Sequence, residues 1–242
     1  MNRPERSLNA NQLKIIAILA MTADHAADLL FPDASGRWFA YALHAAGRLT
    51  APIIFFFLAE GCRHTRDIRK YAGRLFLFAL ISHFAYCFAF GRHPVPFTTG
   101  IWNQTSIIWG LAWAVTAIAA WRSERLPMAA KITVLALACL FSFFSDWMSV
   151  AVLCPFLIYL HHGDFRKQCL DIGLAAVLVA ARFIFLTPDI RYAVIQVFML
   201  LSLPLLARYN GKRGEWKGMK WFFYFYYPAH LFLIGLLRMT LS

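Results

Sequence analysis

Three apolar segments of this chain of 242 residues carry ionisable side chains far from their ends. Asp24 and His25 lie in the first segment, Arg48 lies in the second, and His230 lies in the last. A charged group at bilayer depth costs about 2.5–3.5 kcal/mol on insertion scales, so each is a candidate for a functional site. A carboxylate beside an imidazole fixes the tautomer of the ring and raises its basicity. These residue types are therefore compatible with a proton-transfer site.

The spacing of these groups places them near one plane. Each stands roughly ten residues from the charged flank of its segment, which is about 15 Å along a helix. At a common depth these groups could pair with one another and have a structural role, because pairing offsets the cost of burying their charges. Alternatively, they could transfer protons. Adjacent helical residues point in different directions, so Asp24 could hold Arg48 or His230 rather than His25. Asp28 shares the helical face of Asp24.

The elements that must position these groups are transmembrane helices. Hydrophobic residues make up 60% of the chain and charged residues 15%, against about 45–50% and 25% in soluble domains. This composition excludes disordered proteins, secreted disulfide scaffolds and ordinary cytosolic enzymes. The five cysteines show neither a CxxC pair nor a Cys/His metal spacing, so no metal is expected.

Nine apolar segments predict an all-α, polytopic transmembrane helix bundle of about nine spans with a cytoplasmic N-terminus. This topology places 18 of the 24 Lys and Arg residues on the inner side and three in outer loops, as the positive-inside rule expects. It explains the net charge of +12, so nucleic acid is not expected as a partner. The fifth and sixth segments are short, and whether they cross fully is open. The predicted spans of this single membrane domain, residues 1–242, are 13–31, 38–60, 71–91, 101–121, 129–145, 147–161, 169–187, 190–207 and 220–240.

A second candidate site is the basic inner loop after the second span. Four basic side chains and one histidine lie within residues 63–70. Arginine forks bind phosphates, and the same charges would attract anionic lipid headgroups, so both interpretations stay open. The candidate anion-binding residues are Glu60, Arg63, His64, Arg66, Arg69 and Lys70.

The residues alone leave two classes of function open. One is a membrane enzyme with a base at mid-bilayer and a phosphate-binding mouth on the cytoplasmic side. The other is a proton-coupled transporter that uses Asp24, His25 and Arg48 as a relay. The isolated histidines His44 and His83 are interpreted as interhelical hydrogen bonds.

A series of short sequence blocks runs along nearly the whole chain. The blocks are LKIIA from residue 13, DH at 24–25, GRLTAPIIF at 47–55, FLAEG at 57–61, HTR at 64–66, RLFLFALIS at 74–82, NGKRG at 210–214 and YYPAHL at 226–231. In their order and spacing these blocks resemble the TraX family of membrane proteins. The resemblance implies an acetyltransferase, because the family is named for the membrane enzyme that acetylates the N-terminus of F-type pilin. The family is also similar, distantly, to the membrane acyltransferases that modify surface sugars.

The resemblance implies acetyl-CoA as the donor, and the two candidate sites supply places for it. The phosphates would dock on the basic loop, and the pantetheine arm would reach into the bundle. His25 would deprotonate the acceptor, while Asp24 would orient His25 or hold Arg48. Arg48 or His230 would stabilise the oxyanion.

The expected acceptor is the N-terminal amine of a pilin-like protein. A surface-glycan hydroxyl is the alternative, because residues 97–105, at the predicted outer mouth, are only loosely similar to the family. A purely structural role in pilus assembly is a further possibility. The expected location is the bacterial inner membrane, with multiple spans and membrane lipids as partners.

Overall fold

Helices account for nearly all the regular structure in this computed structural model, which describes residues 7–31, 38–185 and 190–241. No β-strand occurs in those ranges, which confirms the predicted all-α fold. The helices are α1 Ala10–Leu30, α2 Trp38–Gly47, α3 Thr50–His64, α4 Ile68–Ala89, α5 Ile107–Arg122, α6 Met128–Ser142, α7 Val150–Leu160, α8 Phe165–Phe185, α9 Ile190–Ile195, a 3₁₀-helix Gln196–Leu201, α10 Ser202–Ala207 and α11 Met219–Leu241.

Four helical stretches in the described part of the chain are long and apolar enough to cross a membrane. They are Trp38–His64, Ile68–Ala89, Phe165–Phe185 and Ile190–Ala207, and α5, α6 and α7 are shorter apolar helices. Large apolar side chains are exposed along α4, α8 and α11. Such surfaces are unusual on a soluble monomer and suit contact with lipid. The count of nine spans and the orientation of the chain stay predictions.

The predicted span 38–60 is interrupted between α2 and α3. Residues 48 and 49 form a turn, and α3 begins at Thr50. Pro52 favours this interruption, because it has no N–H to donate to the Arg48 carbonyl and its ring crowds that carbonyl. The interruption places Arg48 at a bend rather than within a continuous helix.

The predicted span 101–121 becomes helical only at Ile107. Before it, Asn103 adopts a left-handed φ of 53°, which asparagine tolerates better than most residues. The Gln104 side-chain amide donates to the carbonyls of Gly100 and Trp102 at 3.0 and 2.9 Å. These bonds hold residues 101–106 in an irregular conformation, so the prediction of helix there was wrong.

The chain forms two compact units. Unit 1 contains Met1–Phe57 and His161–Lys220, and unit 2 contains Leu58–Leu160 and Trp221–Ser242. In unit 1, α1 packs on α2, and α8 packs on α9 and the 3₁₀-helix. In unit 2, α5 packs on α4, α6 and α7.

The start of α1 is completed by a distant turn, residues 208–214. Asn9 caps the helix through a capping box. The Ala10 N–H, which has no partner within its own helix, donates to the Lys212 carbonyl at 2.9 Å. Gly214 has a φ of 89°, and a Cβ there would lie 2.8 Å from the Asn9 Oδ1 atom. Glycine is therefore needed where the turn meets the helix.

Small residues set the close packing of unit 2. A Cβ on Gly110 of α5 would lie 2.6 Å from the Ala151 Cβ atom of α7. A Cβ on Gly235 of α11 would lie 2.6 Å from the Cε1 atom of Phe88 in α4. Helices in membranes approach through such small residues because dispersion contacts, rather than water exclusion, drive their association.

Candidate functional site

A buried carboxylate in unit 1 joins an imidazole and a guanidinium. Asp24 Oδ1 accepts a hydrogen bond from His44 Nδ1 at 2.7 Å, and Asp24 Oδ2 forms an ion pair with Arg48 Nη2. The side chains of Asp24, His44 and Arg48 are 13%, 3% and 16% exposed. Arg48 Nε also donates to the His44 carbonyl at 3.1 Å. These three residues form one connected group, the Asp24 centre.

Close packing of α2 on α1 makes the Asp24 centre possible. A Cβ added to Gly47 would lie 2.8 Å from Asp24 Oδ2 and 2.5 Å from the Asp24 Cγ atom. Only glycine therefore lets the α2 backbone pass this close to the carboxylate. On the next turn, the Thr50 hydroxyl donates to the Ala17 carbonyl at 3.0 Å, which fixes the start of α3 against α1.

The second ring nitrogen of His44 is available as a proton acceptor. Because Nδ1 donates to Asp24, a neutral imidazole carries its lone pair on Nε2. Nε2 is buried and makes no hydrogen bond with the described residues. The Asp28 Oδ1 atom lies 3.9 Å from it, on a side chain that is 45% exposed. The Tyr192 ring lies against the imidazole, with centroids 5.6 Å apart.

The structure brings two of the four predicted catalytic residues together. Asp24 pairs with Arg48, one of the partners that the sequence proposed for it. His25 follows Asp24 along α1 and is half-buried. His230 lies in α11 of unit 2, where its Nδ1 donates to the Tyr226 carbonyl at 3.0 Å and its ring stacks on the Tyr226 ring. The catalytic roles of all four predicted residues stay predictions.

Two buried groups of unit 1 were not assigned to a candidate site from the sequence. His44 was interpreted as an interhelical hydrogen bond, and its bond from α2 to Asp24 in α1 confirms this. Its position one helical turn before Arg48, on the same face, could also have linked it to the candidate site. Asp171 was not weighed at all, although it lies within the apolar segment 169–187. It is 6% exposed and accepts a hydrogen bond from His161 Nδ1 at 2.9 Å. The presence of a charged residue inside an apolar segment is the signal that could have identified Asp171.

The first half of the predicted anion site is already engaged in unit 2. Glu60 Oε2 lies 3.4 Å from His64 Nε2. Arg63 Nη2 donates to the Tyr159 carbonyl at 2.8 Å, and the guanidinium lies over the Tyr159 ring at 4.6 Å from its centroid. Arg63 therefore has a structural role in holding the end of α3 to the end of α7.

The second half of this loop is open to solvent. Arg66, Arg69 and Lys70 are exposed. Asp67 caps α4 by accepting from the Lys70 N–H at 3.0 Å, and Lys70 Nζ lies 3.6 Å from the Asp67 Oδ2 atom. The hydrogen bond from the Lys70 N–H, with the nearby lysine charge, lowers the pKa of Asp67. Arg66 and Arg69 are thus the residues of the loop best placed to meet an anion. Among the residues described, no group of three or more His, Cys, Asp or Glu side chains is placed to hold a metal ion.

An all-α chain with apolar side chains exposed along its helices is a helical membrane protein, and the Asp24 centre is its candidate site. A model of the TraX protein family matches residues 9–238, and the chain belongs to this family. It is 32% identical over 240 residues to the probable fimbrial assembly protein FimC, serogroup H1, of Dichelobacter nodosus, with 97% of each chain covered. No solved structure gives a significant match. The resemblance found in the sequence is confirmed.

Proposed function

We propose that this protein is an acetyltransferase of the bacterial inner membrane with multiple spans. It would move an acetyl group from cytoplasmic acetyl-CoA to the N-terminal amine of a pilin-like protein at or beyond the membrane. The Asp24 carboxylate held between His44 and Arg48 is the observation on which the proposal depends. Membership of the TraX family and similarity to a protein named for fimbrial assembly support a pilin-like acceptor.

The Asp24 centre has the parts that acyl transfer requires. Asp24 holds the tautomer in which Nε2 of His44 can accept a proton. The Arg48 guanidinium supplies positive charge beside it, which would stabilise the oxyanion formed at the acetyl carbonyl. We therefore assign the base to His44, with His25 as the competing candidate and His230 as a second candidate for oxyanion stabilisation.

In the proposed step, a single imidazole, that of His44, both accepts and returns the transferred proton. His44 Nε2 takes a proton from the attacking acceptor nitrogen as the new C–N bond forms to the acetyl carbon. The C–S bond of the thioester then breaks, and the imidazolium returns the proton to the sulfur of the leaving thiolate. Asp24 stabilises the imidazolium between these two events.

The donor's phosphates are assigned to the exposed part of the basic loop. Arg66 and Arg69 are exposed and suit phosphate oxygens, with Lys70 beside them. Glu60, Arg63 and His64 shape the end of α3 through the contacts described above. We therefore assign the phosphates of the donor to fewer residues than the six predicted.

Purified protein in nanodiscs tests the proposal. We expect calorimetry to detect CoA binding and a thiol reagent to detect slow release of CoA from acetyl-CoA. Asp24→Asn and His44→Gln should each reduce this release about 10²–10⁴-fold. His25→Ala, measured beside them, distinguishes the two candidate bases.

The matched control is His83→Gln, because His83 Nε2 donates to the Pro94 carbonyl at 2.7 Å within unit 2. This variant should keep wild-type thiol release. Folded wild-type protein that neither binds CoA nor releases thiol would overturn the proposal. Proton-coupled flux in proteoliposomes would then favour the transporter, for which the Asp24 centre would be the relay.

A further inference from the structure

A buried glutamine of unit 1 has a side-chain oxygen that is unpaired in the described part of the chain. Gln196 is fully buried at the start of the 3₁₀-helix. Its Nε2 atom donates to the Tyr192 carbonyl at 2.9 Å, whereas its Oε1 atom is buried and accepts no hydrogen bond. The bond to Tyr192 fixes the orientation of the amide, because only the amide nitrogen can donate to a carbonyl. The unpaired atom is therefore an acceptor, and it requires a donor.

The contacts of α9 bring the start of the 3₁₀-helix to the part of α2 that carries His44. Arg191 Nη1 donates to the Tyr41 hydroxyl at 3.1 Å, and the Tyr192 ring lies against the His44 ring with centroids 5.6 Å apart. Successive residues of α9 thus meet successive turns of α2, and the 3₁₀-helix that follows also packs on α2. Gln196 stands one helical turn after Tyr192 on the same face, which places it level with the second half of α2.

Position along the two apolar stretches gives the same neighbourhood. Gln196 is the seventh residue of Ile190–Ala207, and His44 is the seventh residue of Trp38–His64. Each therefore lies about 9 Å from the start of its stretch. His44 Nε2 is also buried and unpaired among the described residues, so two such acceptors adjoin Tyr192. Buried polar atoms in folded proteins are nearly always paired, so a ligand that supplies hydrogen-bond donors is expected between them.

We propose that Gln196 orients the attacking nucleophile by accepting a hydrogen bond from it, while His44 Nε2 accepts the proton that is transferred. The inference rests on the proposed function and adds a residue to the same site. It applies to water as well as to a peptide acceptor, so it does not depend on the identity of the acceptor. Two hydrogen bonds from one nucleophilic atom fix the direction of its lone pair, which raises the rate of attack rather than the affinity for the donor.

Water, the simplest nucleophile, illustrates the step. One O–H group of the water donates to Gln196 and stays intact. The other proton passes to His44 Nε2 as the new C–O bond forms to the acetyl carbon. The C–S bond then breaks, and the imidazolium returns this proton to the sulfur. The products are acetic acid and the CoA thiol.

The test compares acetyl-CoA hydrolysis by Gln196→Met and by wild-type protein in nanodiscs. Methionine is similar to glutamine in length and volume but offers only a weak acceptor, so this variant removes the proposed hydrogen bond. We expect kcat to fall about 10- to 100-fold, while the KM for acetyl-CoA and the calorimetric Kd for CoA keep their wild-type values. The calorimetric stoichiometry gives the folded fraction, and kcat is expressed per CoA site so that a loss of fold does not imitate a loss of catalysis.

Gln168→Met is the matched control. Gln168 is also a buried glutamine of unit 1. It lies about 22 Å along α8 from Phe183, whose ring stacks on the Tyr192 ring. Gln168→Met should therefore keep the wild-type kcat. Gln196→Asn keeps both amide groups on a shorter side chain, so it should retain more activity than Gln196→Met but less than wild type.

The outcomes separate this inference from the function on which it rests. A wild-type kcat in Gln196→Met, or an equal loss in Gln168→Met, overturns the role of Gln196 and leaves the acetyltransferase standing. If Gln196→Met does not fold, a wild-type kcat in Gln196→Asn overturns that role in the same way. Absence of thiol release from folded wild-type protein overturns the acetyltransferase itself, and this inference with it.

Discussion

The Asp24 carboxylate and the Arg48 guanidinium form an ion pair that ties the second half of α1 to the bend between α2 and α3. Both side chains are largely buried. Removing one partner of such a pair leaves an uncompensated charge, which is far more destabilising than removing both. The pair is therefore a structural requirement of unit 1 as well as a part of the proposed chemistry.

The coupling of this pair can be measured by a double-mutant cycle. Asp24→Asn alone should lower the free energy of unfolding by about 3–5 kcal/mol, because Arg48 is then buried without its counter-charge. Asp24→Asn combined with Arg48→Gln should restore much of that loss. Denaturant titration in a fixed detergent gives the four free energies, and additive effects would mean that the two charges do not interact in the folded protein.

Gly47→Ala tests whether the close approach of α2 positions the Asp24 centre. The new methyl group would displace the Asp24 carboxylate, so we expect thiol release to fall at least tenfold with the helical content preserved. Gly173→Ala in α8 is the control, because a Cβ at Gly173 has open space around it. That change should leave activity intact and stabilise the helix slightly. Equal activity in the two alanine variants would contradict the geometry.

Removing positive charge from the basic loop should weaken binding of the acetyl-CoA donor and leave binding of the acceptor unchanged. Arg66→Gln with Arg69→Gln should raise the KM for acetyl-CoA about tenfold, while kcat changes little, because their charge is assigned to the phosphates. The effect should shrink at high salt, where exposed charges are screened. Arg125→Gln, an exposed arginine before α6, is the control. An unchanged KM would place the donor elsewhere.

The cap of α4 gives a pH-dependent contribution to stability. The folded pKa of Asp67 is lowered from its ordinary 3.8 by the hydrogen bond from the Lys70 N–H. The ionised Asp67 carboxylate therefore stabilises the folded protein fully above the unfolded pKa, and this stabilisation is lost as the pH falls through the lower, folded pKa.

Asp67→Ala should accordingly lower the midpoint of thermal unfolding at pH 7, and the difference from wild type should vanish at pH well below 3.8. Asp67→Asn keeps a capping side chain without a titrating group. Its deficit relative to wild type should be smaller than that of Asp67→Ala and should decrease in parallel with it as the pH falls, because only wild-type Asp67 titrates. A difference between wild type and Asp67→Ala that does not change with pH would contradict the assignment.

The pairing of Asp24 with Arg48 could be proposed from the sequence because two costly charges at a similar depth favour one another. His44 could not be assigned in the same way, since a histidine in a span is equally compatible with a neutral hydrogen bond. The structural role of Arg63 could also not be predicted from the sequence. Its partner, Tyr159, is 96 residues away, and no local pattern joins them. The interruption of the helix at Arg48 could have been predicted, because Pro52 has no N–H to donate to the Arg48 carbonyl.

The turn that completes the start of α1 has a consequence for biosynthesis. The Ala10 N–H is satisfied by the Lys212 carbonyl, and these two residues lie about 200 positions apart in the order of translation. At ribosomal rates of about 5–20 residues per second, roughly 10–40 s separate their emergence. The helix α1 therefore acquires these N-terminal contacts only after the segment that contains Lys212 has been synthesised.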